Sequence, residues 1–252
     1  MKIISWNVNG IRAAENKGFT DWLVKTDPDI LCVQETKAHP DQLSKSLIAP
    51  GGYRSVWTSA ERKGYSGCAV YCKNESVSMS GLGEKRFDDE GRVQMRDFDR
   101  YVLVNAYFPN SQEGGKRLDY KLDFCETVRK KCNELRSAGK NIVLCGDFNI
   151  AHTPLDLARP KQNEQNPGYL PEEREWMTKF LADGYVDTFR MFNREGGNYS
   201  WWSYRMNARA RNVGWRIDYF CVNRAFSSQV KSAFIMNEVM GSDHCPVGIE
   251  LG

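Results

Sequence analysis

The chain has 252 residues, 41% of them hydrophobic and 27% charged, with a formal net charge of +3. That is enough apolar content for one large domain with a sizeable core, and no Pro/Ser/Gly-rich linker, repeat or low-complexity tract divides it, so a single domain over residues 1–252 is expected. No run of about 18 apolar residues occurs and no signal-peptide pattern precedes the first strand, so a soluble, intracellular protein without an appended N-terminal regulatory region is expected.

In chain order, Ile3-Ile4-Ser5-Trp6-Asn7-Val8-Asn9-Gly10 reads as an apolar strand running into two amides. A short helix over 18–26 leads to a second strand, Pro28 to Glu35, ending on Gln34 and Glu35, and a further helix is expected over 40–48. Tyr101 to Asn110 is a third strand that ends on Tyr107 and Asn110. Leu118, Leu122, Cys125, Val128, Cys132 and Leu135 recur at steps of three and four, the apolar face of a helix that Gly139 can terminate. Asn141 to Cys145 is a buried strand that delivers Asp147 and Asn149 of Gly-Asp-Phe-Asn (146–149) to a mouth at its end. The Pro-, Asn- and Gly-rich stretch 159–171 reads as a surface loop. It opens a helix over 171–183 that starts at Pro171, with Glu172 and Glu173 where the helix dipole favours acids. Trp215 to Val222 is a strand carrying Asp218, and Gly-Ser-Asp-His-Cys-Pro (241–246) is expected to end a further strand-like pass with Asp243 beside His244. The eight cysteines (32, 68, 72, 125, 132, 145, 221 and 245) mostly lie in apolar patterns without a CxxC pair, so they read as reduced packing residues rather than disulfides or a zinc site.

Taken alone, Gly-Asp-Phe-Asn reads first as an Asx turn closing a strand, and a His-Asp pair as a satisfied surface hydrogen bond. Company changes the odds: acids, amides and an imidazole recur where apolar runs end or break, as expected for an active-site rim able to bind a metal, deprotonate water and neutralise a phosphate. The net charge does not announce a nucleic-acid binder, but its distribution says more. Ser203 to Arg216 holds four arginines (205, 209, 211 and 216) and no acid, bracketed by Trp201, Trp202, Tyr204 and Trp215. Such a segment suits phosphate contact and stacking; the alternative is an ordinary charged loop with core-anchored tryptophans.

The ordered motifs WNVNG (6–10), QETK (34–37), NAYFPN (105–110), GDFN (146–149), NVGWRIDYF (212–220) and GSDHCP (241–246) resemble the exonuclease III family of apurinic/apyrimidinic (AP) endonucleases, across essentially the whole chain. Periodicity alone leaves a parallel doubly wound sheet open. The resemblance implies a four-layered α/β sandwich, two mixed β-sheets packed face to face and flanked by helices. It further implies hydrolysis 5′ to an abasic site in double-stranded DNA, leaving 3′-hydroxyl and 5′-deoxyribose phosphate, with 3′→5′ exonuclease and 3′-end-cleaning activity. By the same resemblance Asp147 activates or orients the attacking water with Asn149, and His244, held by Asp218, donates to the phosphate. Tyr107, Asn7 and Asn110 complete the polar cradle. Glu35 with Asn9 would hold Mg²⁺, for which Mn²⁺ can substitute, and Asp243 would support a second metal position. Trp201, Trp215 and Ile217 would line the abasic pocket, and Arg12, Lys37, Tyr65, Arg159, Lys161, Arg205 and Arg209 would meet the duplex. Some relatives in that family carry Asp where Asn9 stands and some carry Met where Arg205 stands, so metal affinity and the group that fills the duplex gap are the two open points. A monomer in the cytoplasm or nucleoid is expected. The other readings are a phosphatase or nuclease acting on inositol phosphates, RNA or undamaged DNA through the same site, and a catalytically silent DNA-binding protein.

Overall fold

A computed structural model describes residues 1–252. The twelve strands are β1 (Lys2–Asn7), β2 (Ile30–Gln34), β3 (Arg54–Thr58), β4 (Cys68–Cys72), β5 (Val77–Ser78), β6 (Val93–Asp97), β7 (Val102–Tyr107), β8 (Ile142–Asp147), β9 (Tyr185–Asp187), β10 (Asp218–Asn223), β11 (Val230–Ile235) and β12 (Val247–Leu251). They form two six-stranded sheets, ordered β11-β12-β1-β2-β4-β3 and β5-β6-β7-β8-β10-β9. The helices are α1 (Ile11–Glu15), α2 (Phe19–Thr26), α3 (Lys45–Ile48), α4 (Lys85–Asp88), α5 (Leu118–Ser137), α6 (Pro160–Asn163), α7 (Pro171–Ala182) and α8 (Thr188–Phe192).

Only β1–β2 and β7–β8 run parallel, and each pair needs a crossover, which α2 and α5 supply. Both faces of these strands are covered, hence their near-continuous apolar runs. Alternate residues go to different cores. Ile3, Ile30, Cys32, Val143, Cys145, Phe220 and Ile249 fill the space between the sheets. Ile4, Trp6, Leu31 and Val33 face α1 and α2, while Val102, Val104, Ile142 and Leu144 face α5 and α7. Each such side chain removed from water contributes roughly 1.5–3 kcal/mol. The result is the four-layered sandwich with mixed sheets, not a parallel doubly wound sheet.

α5 stops as its sequence requires: Gly139 adopts φ +85°, and the N–H groups of Gly139 and Lys140 return to the carbonyls of Arg136 (3.0 Å) and Leu135 (3.1 Å). Two expectations change. The helix over 40–48 is two pieces, a single 3₁₀ turn at Pro40–Gln42 and then α3, because Leu43 and Ser44 between them are extended and Ser44 caps α3 by accepting the Leu47 N–H at 3.1 Å. Asp243 and His244 do not end a strand; they lie in the loop between β11 and β12, where Gly241 at φ +125° turns the chain before Pro246. All eight cysteines are free thiols buried in the layers.

Candidate active site

Register builds the site. Tyr107 of β7 pairs with Asp147 of β8, which pairs with Asp218 of β10. Side chains in register share a face, and this row continues the inter-sheet face of Val143, Cys145 and Phe220 to its open end. Asn7 at the end of β1 reaches across from the other sheet, its Nδ2 donating to Asp147 Oδ2 (2.8 Å) and Glu35 Oε2 (3.1 Å). Gly146 is obligatory beside Asp147: it sits at φ +134°, and a Cβ would fall 1.9 Å from the Ala106 carbonyl oxygen.

The turns that follow these strands are conformationally special. Asn9, Glu35, Lys37 and Asn149 all have φ between +48° and +57°, a region costly for non-glycine residues that persists only when neighbours over-determine it. Here the Gly10 N–H binds the Glu35 carbonyl (2.8 Å) and the Lys37 N–H binds the Ser66 carbonyl (2.8 Å). The Asn149 N–H donates to Asp147 Oδ1 (2.8 Å) and its Nδ2 to Asp147 Oδ2 (3.2 Å), while Asn110 Nδ2 donates to Asn149 Oδ1 (3.1 Å). Asp147 is thus clasped by two amides and a backbone N–H, with one more polar neighbour, His244 Nε2, at 3.8 Å.

His244 is locked by a 2.9 Å contact from Nδ1 to Asp218 Oδ2, an oxygen that also accepts from Ser200 Oγ at 2.6 Å. Burial pushes the Asp147 carboxyl up to about 7, the His244 charge opposing and Asp218 reinforcing the rise. Burial acts to lower His244, but the Asp218 and Asp147 carboxylates outweigh it and raise the imidazole to about 10. Asp243 lies below the ordinary carboxylate range although burial opposes this, because His244, the Trp201 indole (3.0 Å) and the Asn9 amide (3.0 Å) favour its charge. Burial raises the Tyr107 phenol well above its usual range, with Glu35 adding to it.

Two oxygen-rich places could hold a cation. Asp147, Asp218 and His244 bring ligand atoms within 4.8 Å of one another, and Asp218 Oδ1 is buried without a hydrogen-bond partner. Glu35 Oε1 and Asn9 Oδ1 converge on the Lys37 ammonium at 3.0 and 2.6 Å, so this pair already gathers a positive charge.

The groups open onto a pocket of about 260 Å³. Asn9, Glu35, Tyr107, Asn110, Asp147, Asn149, Asp243 and His244 form its polar side; Pro167, Gly168, Trp201, Trp215 and Ile217 form its apolar side. The two indoles stand edge to face, centroids 6.3 Å apart at 86°. Asn7 and Asp218 lie behind this lining. Arg12 and Lys37 border a second cleft next to Asn9, and Arg159, Lys161 and Arg205 are exposed. Two residues of the basic segment turn inward. Arg209 donates to the carbonyls of Ser242 (3.2 Å), Asn237 (2.8 Å) and Val239 (2.6 Å) and lies over Trp202. Arg216, read with its neighbours as a phosphate contact, is buried between Asp156 (2.7 Å) and Asp187 (2.6 Å). The Tyr65 hydroxyl accepts from Arg92 (2.7 Å) and Arg117 (3.0 Å). Ser200 and the Pro167-Gly168 turn are additions to the expected set; only the Pro-Gly pair carried a local signal, that of a turn.

The chain is similar to known proteins along its length. Residues 4–244 match the endonuclease/exonuclease/phosphatase family. An exodeoxyribonuclease of Bacillus subtilis (strain 168) is 45% identical over 250 residues, 98% of each chain. A DNA-(apurinic or apyrimidinic site) endonuclease of Dictyostelium discoideum is 42% identical over 253 residues, 99% of this chain and 70% of that one. The solved structure of a 3′-5′ exonuclease from Neisseria meningitidis superposes with a TM-score of 0.90 at 27% identity, covering 100% of this chain and 99% of the other.

Proposed function

The chain belongs to the endonuclease/exonuclease/phosphatase family and is a repair nuclease within it; from that premise we propose that it hydrolyses the phosphodiester 5′ to an abasic site in double-stranded DNA. The products are a 3′-hydroxyl and a 5′-deoxyribose phosphate, and the same chemistry at a strand end gives 3′→5′ exonuclease and 3′-end-cleaning activity. It acts as a monomeric catalytic domain over residues 1–252, in the cytoplasm or nucleoid.

One observation carries this reading: the Asp147 and His244 atoms that could activate a nucleophile and receive a phosphate line the polar side of a pocket of about 260 Å³ whose other side is walled by the indoles of Trp201 and Trp215. That is below the roughly 300–1,000 Å³ of drug-sized sites. It suits a baseless sugar, which leaves the helix without the cost of breaking a base pair. Asp147 accepts a proton from the water whose oxygen attacks phosphorus; the bond to the 3′ oxygen breaks, and that oxygen takes up a proton from solvent to leave as the 3′-hydroxyl. Asn149, Asn7 and Asn110 keep the carboxylate and the water in place. The His244 imidazolium donates from Nε2 to the phosphate as its negative charge grows, Asp218 holding Nδ1, and Tyr107 lies at the mouth as a phenol that stays protonated.

Glu35 and Asn9 are the residues that would hold Mg²⁺, or Mn²⁺ in its place, with Asp243 supporting a second position; the hard oxygen donors around the Lys37 ammonium fit such an ion. When bound, it supplies positive charge at the phosphate. Arg12, Lys37, Arg159, Lys161 and Arg205 meet the duplex backbone. Met206, 82% exposed beside Arg205, offers an apolar tip for the gap left by the displaced sugar.

The test is a labelled duplex with one reduced abasic analogue, which cannot undergo β-elimination, incubated with Mg²⁺ or chelator beside an intact duplex and an Asp147→Asn control. A product ending in 3′-hydroxyl, lost with chelator and about 10²–10⁴-fold slower in the variant, is expected. An uncut lesion with folded, metal-supplied protein overturns the proposal.

A further inference from the structure

We propose that the buried Lys121–Glu173 ion pair, which does not line the pocket, is a positioning device for Asn149, a reading that rests on the nuclease function proposed above. Lys121 lies on the inner face of α5 and Glu173 in the first turn of α7; both side chains are 0% exposed and their charged atoms are 2.6 Å apart. Two charges withdrawn from water are rarely more stabilising than apolar side chains of the same volume, so stability alone accounts poorly for the pair. Its hydrogen bonds point elsewhere. Lys121 Nζ donates to the Asn149 carbonyl at 2.6 Å, at the residue whose φ of +51° must be enforced. Glu173 Oε2 accepts the N–H groups of Gly168 (2.7 Å) and Leu170 (3.0 Å), and Oε1 accepts the Ser111 hydroxyl.

One ion pair therefore ties together three segments that line the pocket: the loop after β7 with Asn110, the turn after β8 with Asn149, and the Pro167-Gly168 turn. They interlock further, since the Ala151 N–H binds the Gly168 carbonyl at 2.7 Å and a Cβ on Gly168 would lie 3.2 Å from the Asn149 oxygen and 3.3 Å from the Trp215 ring. Asn149 in turn holds Asp147 through its N–H and its amide. A displacement of about 1 Å at such a group can cost on the order of 100-fold in rate.

The experiment is a kinetic cycle on the reduced-abasic duplex with wild type, Lys121→Met/Glu173→Gln, Lys121→Arg and Asn149→Ala, and with the pair change added to Asn149→Ala. The pair change removes both charges together and so leaves no lone buried ion. Cleavage by wild type tests the nuclease reading by itself, so that its failure is distinct from failure of the cycle. We expect the pair variant to unfold cooperatively, to lose about 10–100-fold in kcat with KM within about 2-fold, and to add no loss in the Asn149→Ala background. Lys121→Arg, which can still reach the carbonyl, restores most of the rate. An unchanged kcat, a rise in KM matching the loss, or a loss that multiplies with Asn149→Ala overturns the proposal. If the pair variant does not fold, the same cycle is read from Lys121→Gln/Glu173→Gln, which also removes both charges together.

Discussion

Asp147 and His244 face each other at 3.8 Å with opposed protonation tendencies: burial brings the acid's proton loss up to about 7, and two carboxylates hold the imidazole's proton to about 10. The mechanism proposed above needs the first group without its proton and the second with it. Single-turnover cleavage should therefore rise as pH climbs through about 7, level off, and fall through about 10. His244→Gln should lower the plateau, abolish the alkaline fall and move the acid limb to higher pH, because the imidazolium no longer favours the Asp147 carboxylate; an alkaline limb that survives would assign it to another group. The same shift bears on stability. Because folding raises the Asp147 pKa from an ordinary 3.8, the folded state binds more protons than the unfolded one between those values. This residue's contribution thus falls as pH rises through that window and is fully unfavourable above it. That expense fits the chemistry proposed for Asp147 and not a part in holding the fold.

Gly146 shows how an element depends on one position. Gly146→Ala places a methyl into the Ala106 carbonyl at a positive φ. The expected loss is about 2–6 kcal/mol, read by denaturant unfolding with activity per folded molecule as the companion measurement; an unchanged midpoint would mean that β7 and β8 separate more easily than their register implies. Among the elements, those with uninterrupted apolar runs were legible: β1, β2, β7, β8, β10, α5 and α7 all lie where periodicity puts them. β3 and β6 were not, because β3 is a half-exposed edge strand and β6 carries Gln94 and Arg96, polar side chains buried on partners that sequence does not display. Motif residues were legible for a related reason, being polar breaks in apolar runs. Lys121 and Glu173 were hidden, since a charge on a helix reads as solvated until its partner from another helix is seen.

Across the whole molecule, the net charge of +3 says little, whereas the split of its arginines says much. Duplex affinity should fall linearly in log–log terms with salt, and Lys161→Ala or Arg205→Ala should reduce the slope by about 1 each. Arg209→Ala should leave the slope alone while loosening the loop whose carbonyls it clamps; a reduced slope there would show that its guanidinium turns outward to phosphate. The antiparallel β1–β12 pair of the first sheet also sets an order of events. β1 is bracketed by β2, close by in the chain, and by β12, the last strand in sequence, which must slide in between β1 and β11. Contacts so distant along the chain form late. A chain folded only as far as β10 thus carries Asn7, Glu35 and Asp147 without the loop that supplies His244, and on the mechanism proposed here it holds a nucleophile's partner with nothing to receive the phosphate.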